Sequence, residues 1–515
     1  MKRLMSMIVG IAFLLVLTAC GEQYAVTAEF IDVEIDLTSI VFTVKIEDPD
    51  EEISGAITVS LFDKDNKSIA NNSYTDLTAL TGITYRDLKN DMTYTIKVYA
   101  TIDRESVLIG TKTFDLASAE IVEVSTPEQF FNMRNNKIGN YVLKNDIDFT
   151  GVDFVAPFNA SYIFTGTFDG QGFSLKNINF TTLVTQTGVF GYVSSGRIED
   201  VVIENVTIGT EATPLSIATL SRVGIIAGYV SSTTGVIENV TVKNSTIHYS
   251  TTFSSTTSLI YVGGAVGELR GSMTNVTLEN VSVTLEAKGY AKVRMGGVVG
   301  LIGEDGILRN IQSDADVTLN FNGNALKNRE VQINLGGIIG QNRAINKSRS
   351  VENIVSTGDI KVAVDFGTTA DTTGANYSVY VGGLIGISSN NIFNAIFAGT
   401  IDVDHAANAN EASVSKVFYV GGLMGFYNSN KTIQATVKLA GTTTINVSDD
   451  VTLRASQTFG QSASAVVQNV GIYGTPHLLI NDLSATATDP STVLPNLTDF
   501  FTSDWIKDAY QGLIG

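Results

Sequence analysis

At 515 residues the chain exceeds what one ordinary hydrophobic core serves, so several folding units or a repeating stack are expected. It carries 33 basic and 52 acidic residues, a net charge of −19, and no basic run, which excludes nucleic acid and anionic lipid headgroups as natural partners. Forty-seven glycines against seven prolines, and only 17% charged residues, favour short strands and tight corners over helices.

In chain order, Lys2 and Arg3 precede an apolar run from Met7 to Leu17 that is too short to span a bilayer, and Leu17, Thr18, Ala19 and Cys20 close it. These last four residues resemble the lipobox of bacterial lipoproteins. The resemblance implies a signal peptide over 1–19, thioether lipidation of Cys20, a lipidated linker over 20–23, and a place on the extracellular face of a bacterial membrane. Acyl chains at about 0.8 kcal/mol per buried CH₂ hold stably once two or three are attached. An ordinary secretory signal with an incidental cysteine is the alternative. Gly21 in place of Asp gives no sign of inner-membrane retention. Cys20 is the chain's single cysteine, so neither a disulfide nor a thiolate metal site is expected. Cleavage leaves 31 basic against 52 acidic residues, a net charge of −21.

Over 24–117 the apolar period is two. Ile40, Phe42, Val44 and Ile46 alternate with Val41, Thr43 and Lys45, and Asp48-Pro49-Asp50 and Asp63 to Lys67 are turn clusters. About seven short strands make a small β-sandwich. Leu88 to Ala100, with Tyr94 opening a strand, resembles the fibronectin type III signature. By that resemblance Tyr94 is the tyrosine-corner residue, its hydroxyl bonding back to the upstream turn. The family's strand B tryptophan is missing, since the only tryptophan is Trp505, so the unit is described as fibronectin type III-like or immunoglobulin-like.

From about 118 to 475 the pattern changes. Thr126 as N-cap, Pro127 at N1 and Gln129 at N3 predict a short helix that caps a stack of strands. A glycine-bounded apolar motif then recurs, with last glycines at 191, 228, 267, 300, 340, 386 and 425, as in Val262-Gly263-Gly264-Ala265-Val266-Gly267. Repeats of that length cannot bury an apolar face singly, so neighbours complete a common core. A second column, Asp200, Asn239, Asn275, Asn310, Asn353, Asn394 and Ala435, reads as an amide ladder between stacked strands. The fold class is therefore all-β: a right-handed parallel β-helix with three strands per rung, preceded by the small sandwich. The glycine motifs, Gly166 to Gly172 and Thr126-Pro127-Glu128 resemble GLUG-motif repeats. That resemblance implies bacterial surface or secreted proteins, often adhesin-like, with no catalytic residues to carry over.

After Gly474 the repeat lapses, and 476–515 is read as a C-terminal cap in which Phe500, Phe501, Trp505, Ile506 and Tyr510 close the end of the rod; Trp505 stacking on sugar is the alternative. Leu494 to Thr498 is no sortase signal. The histidines, His248, His405 and His477, have no metal spacing, and no metalloprotease, nucleophile-elbow or phosphate-loop pattern occurs. Neither a metal nor a cofactor is expected, and calcium at Asp63 to Asp65 lacks the full loop pattern. The expectation is non-catalytic adhesion to an extracellular glycan or surface protein from a lipid-anchored membrane position. A polysaccharide lyase or glycosidase is the alternative, with Asp402, Asp404 and His405, or Glu268 with Arg270 and Arg294, as its candidate groups. A purely structural envelope component is the third reading.

Overall fold

The computed structural model describes residues 24–514 except 36–38, 87, 90–91, 117–119, 216–219, 254–258, 290–291, 324–329, 366–375, 407–414, 430–431, 440, 449–450, 463–465, 473–476, 482, 485–491 and 494–503. The signal peptide, Cys20, Phe500 and Phe501 lie outside the described residues. The chain divides into two compact units, 1–120 and 121–515.

In the first unit the period-two pattern forms β1 (Thr27–Ile35), β2 (Ile40–Glu47), β3 (Ile53–Phe62), β4 (Ser68–Tyr74), β5 (Ile83–Tyr85), β6 (Thr93–Ile102) and β7 (Glu105–Asp115). They pair antiparallel in two sheets, β1-β2-β5 and β4-β3-β6-β7. Alternate residues of both, Ile40, Phe42 and Val44 from one and Ile57, Val59 and Leu61 from the other, meet in one core. Buried Tyr94 opens β6, and its hydroxyl accepts from Lys89 N–H at 2.8 Å and donates to the Lys89 carbonyl at 3.3 Å. The turn before β6 is thereby tied to its strand, the bond that the resemblance implied. Asp63 Oδ1 accepts from the N–H groups of Asp65 and Lys67 at 3.0 and 2.9 Å, so this carboxylate closes the β3–β4 turn.

The second unit opens with α1 (Pro127–Asn132), whose N-cap Thr126 accepts from Gln129 N–H while Gln129 Oε1 accepts from Ser125 N–H. α1 places Phe130 among Phe149, Phe154, Phe168 and Phe190, with ring centroids 5.5 to 6.1 Å apart, which fills the start of the core. Beyond it the fold is mostly β, with large parallel sheets. Two sheets have eight strands each and a third has twenty. Each repeat adds one strand to each smaller sheet. To the third it adds one long strand in the earlier repeats, such as Val236–Phe253, and two short ones later, such as Val351–Ser356 and Ile360–Asp365. Val262 from the first sheet, Val266 from the second and Val276 from the third share one continuous core.

The glycine motif does not lie along a single strand. Its first half ends a strand of the first sheet and its second half begins one of the second, as in Lys292–Gly296 and Val299–Ile302. A Cβ on Gly297 would fall on the Gly337 carbonyl of the next repeat, and one on Gly337 on that of Gly383. The pair therefore permits close backbone approach between repeats. An eighth turn escapes the glycine pattern: Ser456 pairs with Gly421 and Phe459 with Met424, and Ser456 and Gln457 stand in the glycine-pair places.

The asparagine column is a ladder. Asn239 donates to Asp200, Asn275 to Asn239, Asn310 to Asn275, Asn353 to Asn310 and Asn394 to Asn353, at 2.8 to 3.0 Å. All six have φ between 52 and 56°, the left-handed region that Asn and Asp tolerate better than other non-glycine residues. Each is skipped in the strand register, so it is a kink in the third sheet. The column passes from exposed at Asn239 to buried at Asn394. A second column was not foreseen: Asn177 donates to Asp148, Asn205 to Asn177 and Asn280 to Asn244, at 2.9 to 3.0 Å, and these four asparagines also have positive φ.

The C-terminal helix departs from the expected cap. α2 (Asp504–Ile514) packs Ile506 and Trp505 against Val355, Ile396 and Val437 of the third sheet, on the side of the stack and not across its end. Trp505 is thus a packing residue. Another departure is Lys438, fully buried, whose Nζ donates to Thr443 Oγ1 at 2.6 Å and Gln457 Oε1 at 3.1 Å. Its stem lies under Gly422 as Phe397 lies under Gly383. Burial pushes its ammonium down to about 8.

Asn353→Ala removes two ladder bonds and leaves a strained φ, so a loss of about 3 kcal/mol is expected in urea unfolding, with Asn353→Gly about 1 kcal/mol milder because glycine accepts that φ. For Lys438 the unfolded chain holds its proton longer than the folded one, so this group's contribution to stability rises with pH between about 8 and 10.5. Lys438→Met is expected to raise the unfolding midpoint at pH 7, by an amount corresponding to roughly 3 kcal/mol, and to lose most of that advantage at pH 10.

Candidate functional site

Strands that bury every second side chain send the others outward, and in-register stacking aligns them in columns. On the first sheet the outward column nearest the glycine corner runs Arg222, Tyr261, Arg294, then Asn334, Tyr380, Tyr419 and Arg454. On the second it runs Tyr192, Tyr229, Glu268, then Leu301, Gln341, Ile387, Phe426 and Gln461. Outward side chains of two adjoining sheets can touch only where the outer angle is concave, and these do. Arg222 Nε donates to Glu268 Oε2 at 2.5 Å, Arg294 Nε to Gln341 Oε1, and Arg454 to Gln461 Oε1 at 2.6 Å. The corner is a seam, filled by its own side chains, along the length of the stack.

Charge and aromatic rings alternate within it. Glu268, 2% exposed, also accepts from Arg270 Nε at 2.8 Å. The Arg222 guanidinium lies 4.1 Å from the Tyr229 ring centroid, and burial raises the Tyr229 hydroxyl's pKa. Tyr380 and Tyr419 stack at 4.7 Å with planes 5° apart, and Phe426 packs beside both. Rings stacked on each other from repeat to repeat present edges to solvent, so their faces are not open to a sugar. Arg294 is buried and its acceptors among the described residues are neutral: Gln341, Gln332 Oε1 at 2.7 Å, the Val293 carbonyl at 3.0 Å and the Gln332 carbonyl at 3.4 Å. Burial pushes its guanidinium down to about 10.

Of the two groupings suggested by sequence, Glu268 and Arg270 are in direct contact, while Arg294 binds the two glutamines instead of Glu268. Asp402, Asp404 and His405 are not assembled. On the strand Ile401–Ala406 the two carboxylates face outward and His405 faces the core, its Nδ1 2.9 Å from Ser448 Oγ and its ring 5.6 Å from Phe418. Asp404 accepts from Asn446 Nδ2 at 2.8 Å, and burial, then Asp404, raises the Asp402 carboxyl. His248 pairs with Glu286 at 3.3 Å, and His477 opens a separate strand. Among the described residues no three His, Cys, Asp or Glu side chains could hold a metal ion, and no helix is long and apolar enough to cross a membrane.

Two open depressions lie on the third sheet, away from the seam. One of about 420 Å³ sits at the head of the ladder between Asp169, Asp200 and Asn239, and another of about 290 Å³ is lined by Phe321, Asp365 and Asp404. Both are shallow and mainly acidic, with Lys288 beside Glu286 in the second, and neither buries a carboxylate against arginines. The seam does, and is the better candidate. Sequence reading found Glu268, Arg270 and Arg294 through their charge but missed the seam, because Arg222 and Glu268 are 46 residues apart.

No protein-family model matches the chain, and no curated protein matches it. Among solved structures it is similar to a β-glucuronidase of Parabacteroides merdae, at 12% identity over 24% of this chain and 21% of that one, with a TM-score of 0.15. It thus spans about a fifth of the glucuronidase's length. A putative immunoglobulin A1 protease from Bacteroides ovatus is 16% identical over 73% of this chain and 81% of that one, with a TM-score of 0.30. The pectate lyase Pel3 from Pectobacterium carotovorum is 10% identical over 71% and 90%, with a TM-score of 0.14. All three scores are too low for a shared fold or activity to be read from them.

Glu268→Ala would leave part-buried Arg222 without its carboxylate, and a loss of roughly 2 kcal/mol is expected in chemical denaturation. The double variant Arg222→Met with Glu268→Leu is expected to recover most of it, since an apolar pair of similar volume replaces the ions.

Proposed function

We propose that this is a lipid-anchored protein of the bacterial cell surface, tethered through Cys20, that binds an extracellular glycan or surface protein without turning it over. Its second unit is a right-handed parallel β-helix of GLUG-like repeats, and its first is a fibronectin type III-like spacer. The β-helix reading is supported by repeats that pair in parallel in three sheets around one core, and by the strong right-handed preference of parallel crossovers. The spacer reading is supported by the three-and-four division of strands and the Tyr94 bond.

The observation that carries binding over turnover is Glu268. A carboxylate whose two oxygens each accept from an arginine is occupied, which suits charge complementarity and not proton transfer. The outward pair Asp402 and Asp404 lacks the histidine that would serve it.

Cells expressing the chain and fed alkyne-palmitate are expected to label it and to hold it in the membrane fraction, and Cys20→Ser to lose both. Labelling that survives Cys20→Ser would overturn the anchor. The full chain in mild detergent is expected to bind a member of a glycan and matrix-protein array without releasing reducing or unsaturated ends. Release of such ends would favour the enzyme reading, and no binding at all the structural one.

A further inference from the structure

The seam is basic on a chain that is strongly acidic. Arg222, Arg270, Lys292, Arg294 and Arg343 line its middle, against Glu268, Glu304 and Glu330. The sequence as a whole has 33 basic residues against 52 acidic. A local excess of guanidinium gives an anionic ligand a place to dock on a chain whose remaining surface repels it. Arg294 makes the case sharpest, since it is a buried guanidinium whose hydrogen-bond acceptors among the described residues are all neutral.

The arginines also share an interval. Arg222 and Arg294 stand two repeats apart in one column, with Tyr261 between them. Arg270 and Arg343 stand two repeats apart in the next, with Gly303 between them, and both are about half exposed. Stacked strands lie about 4.8 Å apart, so each pair is spaced by roughly 10 Å along the rod. One pyranose ring with its glycosidic oxygen advances an extended glycan by a length comparable to one strand spacing, so this interval matches an acid on every second sugar.

We propose that the seam binds a linear acidic polysaccharide carrying a carboxylate on alternate sugars, laid along the stack with its carboxylates on the paired arginines. Arg270 and Arg343 make the direct contacts, and part-buried Arg222 and buried Arg294 supply the field beneath them. Bidentate pairing favours carboxylate at such sites. Stacked tyrosines offer edges and hydroxyls, which suits polar recognition of the sugar backbone and not face stacking. The inference rests on the ligand-binding reading above and narrows its ligand class.

The test measures binding of the full chain in mild detergent to immobilised hyaluronate, carboxyl-reduced hyaluronate, polygalacturonate, heparin and dextran, together with the broader glycan and matrix-protein array. Hyaluronate is expected to bind, to lose affinity with added salt, and to bind roughly tenfold or more weakly to Arg270→Ala with Arg343→Ala. Lys243→Ala, on the third sheet in an exposed pair with Glu279, is expected to bind as the unaltered chain does. Circular dichroism and unfolding midpoints establish that each variant is folded.

Binding of reduced hyaluronate or dextran as strong as that of hyaluronate would overturn the acidic ligand. Binding of heparin without hyaluronate would overturn the carboxylate, and binding of polygalacturonate without hyaluronate would overturn the spacing. Hyaluronate bound equally by the double arginine variant would overturn the placement. A neutral glycan or protein bound through the seam would sink this inference while leaving the binding function intact, whereas no ligand at all would sink both.

Discussion

Everything in the second unit depends on how closely one repeat can lie on the next at the glycine corner. The Gly337 carbonyl occupies the space that a Cβ on Gly297 would need, and the same relation recurs at Gly337 over Gly383. That contact holds the first and second sheets in register through eight turns. Register in turn decides which side chains share a column, and therefore where core, ladder and seam lie. The pair's second glycine also clears space for a side chain from the third sheet, filled by Leu278 under Gly264, Phe397 under Gly383 and Lys438 under Gly422. Lys438 shows that the repeat's geometry outranks local chemistry: its ammonium stays in the core with only neutral acceptors.

The third sheet solves a different problem, since its strands must bend without losing their pairing. An asparagine at positive φ makes the bend, and its side-chain amide donates to the residue in the neighbouring turn while its carbonyl accepts from the other side. Glycine would accept the same φ but could not form the ladder, and aspartate could only receive, as Asp200 and Asp148 do at the heads of the two columns. Backbone need and hydrogen-bond capacity together select the residue.

The seam is a consequence of both devices. The corner brings two outward faces into contact, and stacking repeats that contact at each turn, so residues with no sequence proximity form one strip of charge and aromatic edges. Its net positive character, on a protein whose composition argues against anionic partners in general, is a local property that a whole-chain charge conceals. A glycan strand is also the ligand shape that a linear, periodic surface can engage at several points at once.

The sequence alone determined the period, the glycine corners, the first asparagine ladder and the Thr126 capping box, because each arises from local backbone demands that residue type and spacing record, whereas the bond made by Tyr94 was implied by a family resemblance. Strand alternation could also have separated His405 from Asp402 and Asp404, since neighbours on a strand face opposite ways. Only the tertiary structure decided that the glycine motif straddles two sheets, that Ser456 and Gln457 extend the stack by a turn, that α2 lies against its side, and that Arg222 meets Glu268. Those are contacts across dozens of residues, and their register is set by packing between repeats, which no single repeat encodes.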